Sequence, residues 1–280
     1  MKALTFALLV WLAFPARAEI TVQALRQDEL LAPEVFFHQL ASAPYVVLGE
    51  KHHTPWIQQA QAWIVEGVVH AARRENDFTL GWEFLARSRK AETDALYGRF
   101  VKGEINAEEF LLSTQGPKSM SYAPILDSLR RLGGALFGVN LTREEKAPVV
   151  SGGLAALDPA LVPPTFHLGG AHYFERFRAA MGEGHGDKLG NYFVAQCLTD
   201  AWMAQTLVAD ASHPLRFLVN GHFHSDYRDG VVKELEQRGA GAAIGVVTFL
   251  DASSLTPEAI HKALYHPRYG AVADYAVIRR

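Results

Sequence analysis

Four polar clusters stand at the ends of apolar runs: Gly49-Glu50-Lys51-His52-His53, Trp82-Glu83-Phe84, Asn140, and Asn220-Gly221-His222-Phe223-His224. Two chemistries suit this mixture of carboxylates and imidazoles. Glu50, His52, Glu83 and His222 could bind a divalent cation, because imidazole and carboxylate are ligands for Zn, Fe or Mn. The same groups could run general acid–base chemistry, with neighbouring carboxylates forcing one pKa upward. Glu50, Glu83 and His222 are then the catalytic candidates of a hydrolase. The plain alternative is a hydrogen-bonded cluster that caps a sheet.

A second constellation is Gly169-Gly170-Ala171-His172-Tyr173-Phe174. Its glycine pair would permit a tight approach to a strand end, and His172 or Tyr173 could ligate iron. Tyr122, just before Pro124, and Tyr192 are further phenols able to do so. His185 lies in the Gly-rich stretch 182–190, which reads as loop. His266-Pro267-Arg268-Tyr269 is too short to weigh. No Gly-x-Ser-x-Gly elbow, P-loop, Gly-x-Gly-x-x-Gly or His-Glu-x-x-His is present, which disfavours nucleotide cofactors and serine hydrolysis.

The elements that must position these groups alternate. Apolar runs at 44–49, 78–82, 134–140, 215–221 and 242–250 read as strands, with a last one at 273–278. Helical spacing occupies 55–74, 191–210 and 229–238, and Thr54-Pro55 looks like an N-cap and first-turn pair. The stretch 86–132 has no strand signal and reads as an all-helical insertion, with helices at 87–100, 106–114 and 124–132; 161–168 is broken by proline and ambiguous. Strands alternating with helices predict an α/β fold: a mainly parallel sheet with helices on both faces. Ligands of such sheets bind outside the carboxyl ends of the strands. All four clusters should therefore meet on one rim.

Composition narrows the class. With 49% hydrophobic and 20% charged residues in 280, a sizeable core is available. A net charge of -3 without any dense Lys/Arg run gives no footprint for nucleic acid. Lys2, the apolar run 3–14 and Ala16-Arg17-Ala18 read as a cleaved leader over 1–18, followed by one α/β domain over 19–280. The expected location is the periplasm, with no membrane span after cleavage. Cys197 is the only cysteine, so a disulfide within the chain is excluded and any metal must be held by His, Asp, Glu or Tyr.

Val46-Val47-Leu48-Gly49-Glu50-Lys51-His52-His53-Thr54-Pro55 resembles the opening signature of the ChaN-like haem-binding uptake family, in the superfamily of Tiki proteases and erythromycin esterases. Leu80-Gly81-Trp82-Glu83-Phe84 and Gly138-Val139-Asn140 resemble its second and third signatures. Ala195-Gln196-Cys197-Leu198-Thr199-Asp200 with Met203-Ala204 resembles the fourth. Asn220-Gly221-His222 with Asp226-Tyr227-Arg228-Asp229-Gly230-Val231 resembles the closing segment. The resemblance implies a parallel sheet with small helical parts, and haem uptake. Two haems would stack face to face in a homodimer interface. A Tyr of one subunit would hold each iron, and His and Lys of the other would hold the propionates. Tyr122, Tyr173 and Tyr192 are the candidates for the phenol; His52, His53 and Lys51 are those for the propionates. An outer-membrane haem receptor system is an expected partner. The leader carries no lipobox Cys, which puts a tethered role in doubt.

Overall fold

Val46, Val47 and Leu48 are consecutive and all fully buried, which a strand achieves when both faces of its sheet are covered. The computed structural model describes residues 20–240 and 244–280; the expected leader over 1–18 lies outside them. In chain order the elements are β1 (Ile20–Ala24), β2 (Glu29–Leu31), α1 (Pro33–Ala41), β3 (Tyr45–Glu50), α2 (Pro55–Ala72), β4 (Phe78–Ala86), α3 (Lys90–Val101), α4 (Ala107–Thr114), α5 (Ala123–Leu132) and β5 (Ala135–Asn140). There follow α6 (Arg143–Gly152), α7 (Ala171–Met181), α8 (Leu189–Ala209), β6 (Leu215–Gly221), α9 (Gly230–Leu235), β7 (Ile244–Asp251), α10 (Pro257–Leu264), the short pair β8 (Tyr265–His266) and β9 (Gly270–Ala271), and β10 (Tyr275–Arg279).

Eight strands form one sheet in the order β2-β1-β10-β7-β3-β6-β4-β5. From β10 to β5 every pairing is parallel. β1 and β2 add an antiparallel edge, which the sequence pattern does not announce. Side chains alternate strictly across the sheet, as the period of two requires. Val46, Leu48, Phe217 and Val219 join the core shared with α1, α2 and α5. Val47, Leu218 and Val246 join the opposite core, with α8 and α9. The fold is thus α/β with helices on both faces, as the alternation predicts.

α2 starts where Thr54-Pro55 indicates. Thr54 adopts the extended N-cap conformation, but its hydroxyl donates to the His52 carbonyl (3.3 Å) instead of capping the helix. Between β4 and β5 every element is helical, joined by short turns, and Tyr97, Phe100 and Phe110 pack into the core beside α2. β4 runs four residues past the expected end at 82, with a register shift against β5 between Trp82 and Ala86. Gly138 makes that shift possible, since a Cβ there would meet the Ala86 carbonyl at 2.6 Å. One expectation is overturned. Gly169-Gly170 does not approach a strand end; Gly170 is the N-cap of α7. Helix spacing in Ala171–Met181 was masked by its polar residues.

Candidate functional site

The sheet order puts β6 between β3 and β4, with Glu50 opposite Gly221 in register. A Cβ on Gly221 would meet His52 Nε2 at 2.8 Å and Glu83 Oε2 at 3.7 Å. A Cβ on Gly49 would meet the His222 backbone at 3.2 Å. Glu50, His52, Glu83 and His222 therefore gather on one rim, around two strand ends that only glycine can occupy without displacing its neighbours.

Three linked networks fill that rim. In the first, Glu50 is 1% exposed. Its Oε1 accepts from His52 Nδ1 at 2.8 Å and, in a short contact, from the Tyr122 hydroxyl. Its Oε2 accepts from Gln58 Nε2 at 2.9 Å. Burial and the adjacent Glu50 carboxylate push the Tyr122 phenol well above its usual range. The His52 and His53 rings lie against Phe84 at 4.6 and 5.3 Å.

In the second network His224 lies between the buried Asp200 carboxylate and the part-buried Glu83 carboxylate. Its Nδ1 meets Asp200 Oδ1 at 2.6 Å, and its Nε2 meets Glu83 Oε1 at 3.4 Å. Burial works against the imidazolium, but Glu83 and Asp200 outweigh it and push His224 up to about 10. Burial also opposes ionised Glu83, yet His224, His52 and the Gly221 N–H (2.6 Å) hold it at about 2. Asp200 goes the other way: buried more deeply, its carboxyl rises despite His224 and a 2.8 Å bond from the Tyr173 hydroxyl. Tyr173 is raised by burial and by Asp200. Lys146, bonded to Asn140 and Thr199, is lowered by burial against the pull of Glu83 and Asp200.

In the third network His222 Nδ1 meets Asp226 Oδ2 at 2.7 Å, and that bond raises the imidazole. Arg176 bridges Asp226 and Asp229, and Asp229 also accepts from His172 Nδ1 at 2.9 Å. His222 stays half exposed. With Lys51 it lines a cleft of about 440 Å³ whose apolar side includes Trp56, Phe249 and Leu250. That volume falls in the range of small-molecule pockets, ~300–1,000 Å³.

This rim can be set against known proteins. The model of the haem-binding uptake family, Tiki superfamily, ChaN, matches residues 36–235. The chain belongs to this family. Among solved structures, ChaN of Campylobacter jejuni, described by its cofacial haem binding, superposes with a TM-score of 0.73 at 17% identity, covering 95% of this chain and 98% of that one. An erythromycin esterase variant, EreC, in its open conformation gives a TM-score of 0.46 at 12% identity over 94% and 83% of the two chains. No curated protein matches. The family match spans all three networks, from β3 to α9, and agrees with the ordered motifs of the sequence.

The structure brings the acidic and imidazole candidates of this family member together, but not as a metal centre. Among the described residues no group of three or more His, Cys, Asp or Glu could hold a metal ion. The physical reason is that the donors are spent on one another: Glu50 on Tyr122, His52 and Gln58, Glu83 on Gly221 and His224, His222 on Asp226. Of the three phenols, Tyr122 and Tyr173 are 1% exposed and donate to buried carboxylates. Both hydroxyls are engaged with those carboxylates. Tyr192 is half-buried against the cluster of Tyr173, Phe177, Phe193 and Cys197. Lys51 and His53 are exposed, and His53 takes a left-handed φ of 54°. Sequence reasoning passed over His224, Asp200 and Arg176. Each lies inside or beside a motif already singled out, but its role depends on a partner far away in the chain.

Proposed function

We propose that this protein is a periplasmic haem-binding protein of haem and iron uptake, in which a tyrosine phenolate holds ferric haem where two copies meet. Membership of the haem-binding uptake family over residues 36–235 is the observation that carries this reading. The residues present fit the cargo. A porphyrin needs an apolar wall for its faces and cations for its propionates. The cleft beside His222 offers Trp56, Phe249 and Leu250 for the first and Lys51 with His222 for the second. A phenolate oxygen is a hard donor that favours ferric iron, which suits a carrier that must not release iron by reduction. The leader read in residues 1–18 supports export, and an outer-membrane haem receptor is the partner that would hand over the cargo. No helix among the described residues is long and apolar enough to cross a membrane.

The test is reconstitution with haemin. The purified chain should develop a Soret band that saturates at a fixed stoichiometry. Its elution in size-exclusion chromatography should shift from monomer to dimer as haemin is added. A chain that leaves haemin free in solution overturns the proposal.

A further inference from the structure

The cleft beside His222 lies over the ends of β3 and β7, where Lys51, Phe249 and Leu250 line it. A second cleft, of about 310 Å³, opens over the ends of β4 and β5 and shares no lining residue with the first. Sheet order separates the two, because β6 runs between β3 and β4. One wall is α3 with the turn before it, carrying Arg89, Glu92 and Thr93. The other is the passage from β5 into α6, carrying Asn140, Thr142 and Arg143. Gln115, just past α4, ties the helical wall to the sheet by donating from Nε2 to the Phe84 carbonyl at 2.7 Å.

Donors without acceptors converge on this cleft. Thr93 is 3% exposed, yet its hydroxyl bonds to no described residue. Buried hydroxyls are normally paired, so this one is free to bond a molecule in the cleft. Asn140 Oδ1 accepts from the Leu141 N–H at 2.8 Å and from Lys146 Nζ at 3.2 Å. Both partners are donors, which fixes the orientation of the amide and leaves Asn140 Nδ2 without an acceptor. The neighbouring cations are already engaged: Arg87 stacks on Trp202 at 3.7 Å, Lys90 pairs with Asp94, and Lys146 holds Asn140 and Thr199. Arg89 and Arg143 make no hydrogen bond or ion pair with a described residue. The exposed Glu144 carboxyl is lowered first by its own backbone N–H and by Thr142, then by both of these arginines. The two guanidinium charges therefore act on one place, and the N-terminus of α6 adds its partial positive charge there.

We propose that this second cleft binds a small hydroxylated organic anion, its carboxylate or phosphate held by Arg89 and Arg143 and its hydroxyl-bearing body by Asn140 and Thr93. A guanidinium presents a rigid fork of donors that matches the oxygens of either oxyanion. Glu92 lines the same wall, and Glu83 also borders the cleft, already held by the Gly221 N–H and His224. These carboxylates repel a second anionic group but accept hydroxyl protons, which sets the direction of the ligand: charge toward the arginines, hydroxyls toward the acids. A volume near the lower end of ligand pockets, ~300–1,000 Å³, suits a metabolite of a few carbons. The proposal is independent of haem binding.

The experiment is isothermal titration calorimetry of the full chain without haemin, using L-malate as the carboxylate probe and glycerol 3-phosphate as the phosphate probe. We expect a single site with a Kd of about 1 mM or tighter for at least one of them, and the tighter of the two identifies the oxyanion. Arg89→Ala and Arg143→Ala should each weaken that binding about tenfold, and Thr93→Val about threefold. None of the three should lower the melting temperature, since none of these side chains bonds to the fold. Haemin titrations of the same variants should match the wild type. Absence of saturable heat from both probes overturns the proposal, as does binding that all three variants leave untouched. Weaker haemin binding by Arg89→Ala or Arg143→Ala also overturns it, because the cleft would then belong to the haem site. A chain that binds a probe but no haemin sinks the haem reading and leaves this one standing.

Discussion

Replacing His224 by alanine would strip the imidazolium that contacts both the part-buried Glu83 and the buried Asp200 carboxylates. Breaking a buried pair on one side costs about 3–5 kcal/mol, because the remaining charge is left uncompensated. The rise of His224 from 6.5 to about 10 gives an independent ceiling of about 5 kcal/mol, at ~1.4 kcal/mol per pH unit. The two figures agree, so His224→Ala should destabilise the fold by about 3–5 kcal/mol in urea unfolding at neutral pH. The pH dependence fixes the sign. A raised imidazole stabilises fully below its unfolded pKa of 6.5 and loses that contribution as pH climbs through about 10. A depressed Glu83 stabilises fully above its unfolded value of 4.5 and loses its contribution as pH falls through about 2. The deficit of the variant should thus be greatest from pH 4.5 to 6.5 and shrink toward pH 10. Adding Glu83→Gln to His224→Ala should recover at least ~1 kcal/mol, because contacting charges do not behave additively. A deficit below about 1 kcal/mol, or one that grows between pH 7 and 10, would show that His224 is not the charged centre of this network.

Other perturbations separate scaffold from cargo site. Tyr122→Phe and Tyr173→Phe each remove a donor from a buried carboxylate; thermal melts should show losses of about 1–3 kcal/mol, while the haemin spectrum stays unchanged. Lys51→Ala and His222→Ala should each weaken haemin binding by about tenfold in fluorescence quenching yet keep the phenolate band, since they are assigned to the propionates and not the iron. Gly138→Ala drives a Cβ into the Ala86 carbonyl and should cost about 1–3 kcal/mol in chemical denaturation. Gly170→Ala has nothing within 4 Å of the added carbon and negative φ, so its unfolding midpoint should stay within about 0.5 kcal/mol of the parent.

Residue spacing alone determined the layered α/β class and its parallel strands. Runs such as Tyr45–Glu50 and Leu215–Gly221 are apolar on consecutive positions, and only a doubly covered parallel strand buries both sides of such a run. Strand polarity then puts Glu50, Glu83 and His222 on one rim before any coordinates are known. Periodicity failed for α7 and for the short edge strands β1 and β2, whose patterns are polar or brief. Partnership was decided by tertiary structure. Whether Tyr122 and Tyr173 face outward or donate inward depends on carboxylates 72 and 27 residues away. His224 becomes an imidazolium only because β4 and α8 bring Glu83 and Asp200 to it. Tyr227 stands in the cleft because two consecutive left-handed residues turn the chain there. Local sequence encodes which face of an element is apolar; it does not encode which distant charge that face will meet, and protonation and ligand access follow from that meeting.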